Sequence, residues 1–298
     1  MSTQTALVIG ATGKTGQYTV QHLLERGHAV RAMVHKEDKR SEALRGTGAE
    51  VVMGELLEHD DVVRAAAGTS AAYFCYPVSP GLIPATAYFA DAAKRAALKV
   101  VVNMSQISAR EDSKSHAARD HWIAERIFDW SGVPTVHLRP TFFSEWLLFP
   151  FVRSTIVDNG IIDLPYGNGR HAPIAAEDQA RVIATILAEP AAHVGKTYTL
   201  CGPTELDQAG IAAAITEVLG RKISYQPLTI PQYRERLQKA GLSEFMIQHF
   251  CAVALDYQNG IFSGEDKIIA ELTGKPPMTV QDFVASHLEA FRPANAAG

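Results

Sequence analysis

The sequence predicts an α/β fold: a doubly wound parallel sheet with a smaller, mostly helical C-terminal lobe. Three observations predict it. Short apolar runs alternate with helical patterns through the first half of the 298-residue chain, and that alternation builds a parallel sheet covered on both faces. The bend Gly10-Ala11-Thr12-Gly13-Lys14-Thr15-Gly16 joins the first apolar run to the first helix. Farther on the texture changes, and Gly160, Pro165, Gly167 and Gly169 cut the chain into short pieces.

The first strand is Ala6 to Ile9. The helix after the bend carries Val20, Leu23 and Leu24 on one face and stops at Gly27. Ala29 to Val34 reads as a second strand, and Glu50 to Met53 as a third, after the turn Gly46-Thr47-Gly48. Ala71 to Cys75, Val100 to Met104 and Thr135 to Leu138 follow as the fourth, fifth and sixth, with helical patterns from His59 to Ala66, Pro84 to Ala97 and His116 to Trp130. Right-handed crossovers make such strands build outward from the first, with ligands at their C-terminal ends. In the second half, Glu177 to Ala188, Asp207 to Leu219, Pro231 to Ala240, Glu244 to Tyr257 and Val280 to Phe291 read as helices. Two short strands, near Tyr198 to Leu200 and Ser224 to Tyr225, lie between them. No internal repeat is visible, and the one low-complexity tract is the tail from Pro293 to Gly298.

The bend is a G-x-x-G-x-x-G between a strand and a helix. Its glycines allow a tight turn and a close approach to a ligand, and the helix N-terminus offers N–H groups and a positive dipole end to phosphate. In that setting the motif reads as a Rossmann dinucleotide site. Gly13-Lys14-Thr15 looks like the end of a P-loop, but that loop needs a glycine where Val8 stands. A dinucleotide domain over residues 1–152, with a returning segment near 174–190, and a second lobe over 153–298 are therefore expected. Clefts between such lobes commonly hold ligands.

Composition narrows the class. Apolar content of 47% can supply a sizeable core, and a net charge of −4 gives no electrostatic case for nucleic acid or an anionic membrane. The three cysteines, Cys75, Cys201 and Cys251, form no C-x-x-C, so free thiols in a cytoplasmic protein are expected. Met1 to Thr5 is uncharged and the next apolar run is too short for a signal peptide, and no stretch reaches the length of a membrane span. The sequon Asn103-Met104-Ser105 falls inside a predicted buried strand and reads as chance. No segment shows a heptad seam, so a monomer and a homodimer are both allowed.

The end of the second strand selects the dinucleotide. An NAD site usually has an acid there to bind the ribose hydroxyls. This chain has Val34-His35-Lys36, with Lys39 and Arg40 following. Cationic donors suit the additional phosphate of NADP, so NADP(H) is preferred and NAD(H) stays open, since Glu37 and Asp38 lie in the same stretch. A protonated His35 binds phosphate better than a neutral one.

The chain resembles the NmrA-like family of atypical short-chain dehydrogenase/reductases over nearly its whole length. The resemblance rests on Gly10, Gly13 and Gly16, on Gly54-Glu55-Leu56, and on His121-x-x-x-Glu125 followed by Ser131-Gly132-Val133-Pro134 and Leu138-Arg139-Pro140-Thr141-Phe142-Phe143. It continues in Ala176-Glu177-Asp178, Cys201-Gly202-Pro203 and Thr273-Gly274-Lys275-Pro276-Pro277 before Asp282-Phe283. It implies that Gly10, Thr12, Gly13, Lys14, Thr15 and Gly16 line the pyrophosphate turn. His35, with Lys36 and Arg40, would face the NADP phosphate, where many relatives carry an Arg at the His35 position. Glu55 and Leu56 would lie near the adenine, Tyr76 and Pro77 beside the nicotinamide ribose, and Met104, Ser105 and Gln106 at the nicotinamide end. Such proteins include NAD(P)H-dependent reductases of quinones, azo dyes and triphenylmethane dyes, and NADP-sensing regulators without catalysis.

Conventional members of the superfamily carry a Tyr-x-x-x-Lys pair that protonates a carbonyl oxygen. Counting back from Glu125, those positions are Ala117 and His121, and neither does phenol chemistry. His121 shares a helix face with Glu125. It is either structural, satisfied by Glu125 one turn on, or a proton donor or substrate anchor, with Ser105 as the accompanying catalytic candidate. No G-x-S-x-G elbow supports a hydrolase. His116, His121 and His171 fit no metal-ligand spacing, so no metal is expected. The stretch Phe142 to Phe151 is crowded with aromatic groups. Most of it reads as core, while Phe142, Phe143 and Trp146, with Tyr76, Gln106, Tyr166 and His171, are candidates for an apolar substrate pocket. Such a pocket favours a flat hydrophobic or aromatic substrate. Two functions follow: an NADPH-dependent reductase that works by positioning, without the Tyr and Lys, or a non-catalytic NADP(H) sensor.

Overall fold

The structure is a computed structural model that describes residues 5–292; the predicted low-complexity tail lies outside them, as do the first four residues. The chain divides into two compact units. The first begins with β1 (Thr5–Ile9), α1 (Lys14–Glu25), β2 (Ala29–Val34), α2 (Lys39–Gly46), β3 (Glu50–Met53) and α3 (His59–Ala66). It continues through β4 (Ala71–Phe74), α4 (Leu82–Arg95), β5 (Val100–Met104), α5 (His116–Ser131) and β6 (Thr135–Pro140). The chain then enters the second unit with α6 (Pro150–Asn159), β7 (Ile161–Ile162) and β8 (Arg170–His171), and returns to the first for α7 (Ala176–Ala188) and β9 (Thr197–Leu200). The rest belongs to the second unit: β10 (Leu206–Asp207), α8 (Gln208–Leu219), β11 (Ser224–Tyr225), α9 (Ile230–Lys239), α10 (Glu244–Gln258), α11 (Ile268–Thr273) and α12 (Val280–Ser286).

The first unit is the expected doubly wound sheet, in the order β3-β2-β1-β4-β5-β6-β9. The five strand pairings among β1 to β6 are all parallel. On one face Leu7, Ile9, Ala72, Phe74 and Val101 pack against Phe89 of α4 and Phe128 of α5. The Phe74 ring lies 4.8 Å from Phe89 and 5.5 Å from Phe128. Each such ring, fully buried, contributes roughly 1.5–3 kcal/mol over exposure. The other face is covered by α1 and α7, which pack on each other.

The elements α6, β7, β8, β10 and α11 were not expected from the sequence, and three further stretches differ from expectation. The strand expected near Tyr198 is β9 and joins the main sheet: His137 N–H donates to the Lys196 carbonyl at 3.0 Å and Thr141 N–H to the Leu200 carbonyl at 3.0 Å. These bonds advance together along both strands, as in a parallel pair. α2 is not among the helices expected from the sequence. It forms because Asp38 and Ser41 make a capping box, Asp38 accepting from the N–H groups of Arg40 and Ser41. The last helix stops at Ser286, and Leu288–Phe291 is a 3-10 turn.

The units divide after Arg139, not at residue 152, and the returning segment is 176–199. The reason is aromatic packing inside the second unit. Phe142 stands 4.5 Å from Phe262 and 5.4 Å from Tyr257, while Tyr166 stacks on Tyr257 at 4.3 Å. Trp146 meets Phe250 at 5.2 Å. These rings draw the segment after β6 into the second core. Among the described residues no helix is long and apolar enough to cross a membrane, and all three cysteines are free.

Candidate active site

The C-terminal ends of β1 to β4 open on a groove of about 490 Å³. Its walls include Gly10, Thr12, Gly13, His35, Arg40, Glu55, Leu56 and Pro77, eight residues singled out from the sequence. Cys75 and Met33 line it as well.

Backbone closeness shapes the floor. Gly10 has φ +72°, and a Cβ there would stand 3.3 Å from the Cys75 carbonyl oxygen. The Gly13 N–H donates to the Gly10 carbonyl at 2.9 Å, and a Cβ on Gly13 would lie 3.2 Å from that oxygen. α1 then starts with Gly13 as its N-cap, with no side-chain cap and no acid in its first turn. A helix end of this kind suits an anionic group. Thr15 and Gly16 are buried in that first turn and Lys14 is exposed; none of the three lines the groove.

The far end of the groove is charged. His35 Nδ1 pairs with a Glu55 carboxylate oxygen, and both side chains are solvent-accessible. Arg40 gives Nε and Nη2 to Asp38 Oδ2, at 3.1 and 2.6 Å. The Arg40 bond lowers the Asp38 carboxyl to about 2. Asp38 thus caps α2 and aims Arg40 together, a role that its D-x-x-S spacing to Ser41 could have signalled. Lys36 is exposed and outside the groove. Asp61 accepts from the Glu55 N–H at 2.9 Å and so fixes the Gly54-Glu55-Leu56 loop.

At the end of β5, Met104 is buried, and so are Ser105 and, on α5, His121. The Ser105 hydroxyl and His121 Nδ1 have no hydrogen-bond partner. Of the two readings open for His121, the one in which Glu125 satisfies it is not what the structure shows. Glu125 is fully buried and taken by Arg139, which donates Nε at 2.8 Å and Nη2 at 2.5 Å. Burial lowers His121 to about 4, against a small opposing pull from Glu125. At neutral pH it is a neutral imidazole, which fits a hydrogen-bonding anchor and not an imidazolium acid.

The expected substrate residues separate. Tyr76 turns its hydroxyl to the Pro80 carbonyl at 3.1 Å, outside the groove. Gln106 Oε1 accepts from the Ser108 hydroxyl at 2.7 Å. Phe142, Phe143, Trp146, Tyr166 and His171 do come together, around one cavity of the second unit. That cavity measures only about 30 Å³, room for a water or two and for no aromatic ring. Phe142, Tyr166 and His171 are core residues in this structure. His171 Nδ1 and the Tyr257 hydroxyl share a hydrogen bond of 2.5 Å, Gln208 Nε2 donates to the same oxygen at 3.0 Å, and burial lowers His171 to about 3. No group of three or more His, Cys, Asp or Glu among the described residues could hold a metal ion.

Comparison with known proteins places this geometry. Residues 10–190 match the model of a family described as NAD(P)H-binding. The chain belongs to that family. It is similar to an NAD(P)H azoreductase of Xenophilus azovorans, 29% identical over 291 residues that cover 96% of this chain and 98% of that one. It is also similar to a (4-alkanoyl-5-oxo-2,5-dihydrofuran-3-yl)methyl phosphate reductase of Streptomyces griseus, 30% identical with 96% and 99% covered. In fold it matches the NADPH-dependent quinone oxidoreductase of Escherichia coli complexed with NADPH, with a TM-score of 0.84, 24% identity, and 95% and 99% of the two chains covered. A nicotinamide dinucleotide is the ligand class of the family, and the groove fits it. Its floor is bare backbone that Cβ atoms would crowd.

Proposed function

We propose that the chain is an NADPH-dependent reductase that transfers hydride to a flat hydrophobic acceptor such as a quinone or an azo compound. The observation that carries this reading is the groove itself. A glycine floor and an uncapped helix start receive the diphosphate, and His35 and Arg40 stand where the additional phosphate of NADP would lie. β2 ends in Val34-His35 and not in the acid that would bind an NAD ribose. The relatives named above, matched along nearly their full length, are reductases.

In this reading Gly10, Thr12 and Gly13 cradle the diphosphate with Lys14, Thr15 and Gly16 behind them, and Glu55, Leu56 and Pro77 flank the nucleoside groups. Met104, Ser105 and His121 stand at the nicotinamide end, and Lys36 adds diffuse positive charge. Bound NADPH supplies the hydride. The residues contribute placement and exclusion of water. His121, neutral, offers a hydrogen bond and no proton. Quinones and azo bonds suit such a site, because the reduced product takes its proton from water.

The test is depletion of NADPH absorbance with a panel of quinones, azo dyes and triphenylmethane dyes. Turnover that disappears in Gly13→Val supports the reductase. Tight NADP(H) binding without turnover of any acceptor would instead identify a sensor of the cofactor. His121→Ala is expected to change kcat by no more than a few-fold, the loss of one hydrogen bond.

A further inference from the structure

β2 ends without an acid of its own, and the fold brings one to it from the next strand. Val34 of β2 pairs with Met53 of β3 in parallel register, and the Gly54 N–H donates to the Val34 carbonyl at 3.1 Å. His35 and the Gly54-Glu55 turn therefore leave the sheet side by side. Two neighbours fix that turn. Asp61 of α3 accepts from the Glu55 N–H at 2.9 Å, and a Cβ on Gly54 would stand 2.6 Å from Met33 Cε and 3.1 Å from Asp61 Cβ. From there the Glu55 carboxylate reaches His35 and takes its Nδ1.

Both side chains line the groove, together with Arg40. Glu55 is the only carboxylate among the described residues to do so. The nearby acids are each paired with an arginine and line no part of it: Glu37 with Arg45, Asp38 with Arg40, and Asp61 with Arg64. Lys36 and Lys39 are exposed and outside the groove. A carboxylate placed as Glu55 is has opposite effects on two ligands. It only accepts hydrogen bonds, which suits the hydroxyls of a ribose. A phosphomonoester brings close to two negative charges of its own, and the carboxylate repels them. It also occupies an imidazole nitrogen that a phosphate would use.

We infer that Glu55 is the residue that sets the dinucleotide preference. It supplies, from the turn after β3, the hydroxyl acceptor that β2 lacks, and it holds back the phosphate affinity that His35 and Arg40 provide. The site accordingly takes NAD(H) beside NADP(H). The inference rests on the proposed occupancy of the groove by a dinucleotide, and it names what selects between the two.

The experiment measures Kd, not turnover, for NADPH and for NADH at about 0.15 M salt. The intact protein should bind both. Glu55→Gln should tighten NADPH about three- to tenfold, the effect of one carboxylate on a dianion about 6 Å away in water, and leave NADH no tighter than before. Glu37→Gln removes the same charge two residues from His35 but outside the groove, and should move the ratio of the two constants by less than about twofold. Glu55 is half-exposed and its turn is held through the backbone, so the Gln variant should fold. Glu55→Ala is the second variant; it also removes the acceptor and should weaken NADH further. Equal changes for both dinucleotides in the Glu55 variants would give Glu55 a merely structural role and overturn the inference. So would a ratio that Glu37→Gln moves as far, or an intact protein that binds NADPH and not NADH. If the intact protein binds neither dinucleotide, the proposed function falls with it, which separates the two failures.

Discussion

A Cβ on Gly16 would overlap the carbonyl oxygen of Gly10 and stand 2.8 Å from Ala11 Cα. The third glycine of the bend therefore seats α1 against the turn that precedes it. Gly16→Ala should push α1 outward, cost about 1–3 kcal/mol of stability by overpacking and weaken NADPH binding. Gly46 is the control, because a Cβ there meets nothing within 4 Å. Gly46→Ala should leave both quantities unchanged or raise stability slightly. Urea unfolding and NADPH fluorescence titration measure the two effects.

Arg40 lines the groove while Asp38 holds its guanidinium. Arg40→Ala should weaken NADPH binding about tenfold or more, as expected for a charge-assisted bond to phosphate, and leave NADH binding nearly unchanged. Lys36→Ala should change little, since Lys36 lies outside the groove. Equal losses for NADPH and NADH in Arg40→Ala would remove that residue from phosphate recognition.

Acid should destabilise the fold through two buried histidines. Burial lowers His121 to about 4 and His171 to about 3, against roughly 6.5 in the unfolded chain. The unfolded state takes up these protons first. Their contribution is complete above pH 6.5 or so and is lost as pH falls toward the folded values, at up to about 1.4 kcal/mol per pH unit for each group. Urea unfolding at pH 7 and at pH 5 should show the difference, and His121→Gln should shrink it by about 1–2 kcal/mol. An unchanged difference in that variant would mean that His121 titrates in the folded protein as it does in the unfolded chain.

Phe142 was a candidate for contact with substrate, and the structure makes it the centre of the second unit's aromatic core, with Trp146, Tyr166, His171, Tyr257 and Phe262 around it. Phe142→Ala should cost about 3–5 kcal/mol, visible in the melting temperature. Any folded fraction should bind NADPH with unchanged Kd.

Much of the first unit was legible in the chain. The bend at Gly10 to Gly16 and the alternating strands carry local signals, because backbone conformation and face-to-face periodicity are properties of neighbours in sequence. The helix at Lys39 was not foreseen because its order comes from one cap, Asp38, and not from an apolar face. The strand near Tyr198 was recognised but misplaced, since a four-residue run does not encode which sheet edge it will join.

What the sequence determined by itself is the sheet, the glycine turn, and the set of cationic residues after β2, all fixed by local spacing. Tertiary structure alone decided the partners. Glu125 belongs to Arg139 and not to His121, and Phe142 faces rings instead of ligand. Pairings of that kind join residues far apart in the chain, and burial then sets their energies: a desolvated charge must find its counter-charge, and an apolar ring the densest packing, wherever the fold brings one within reach.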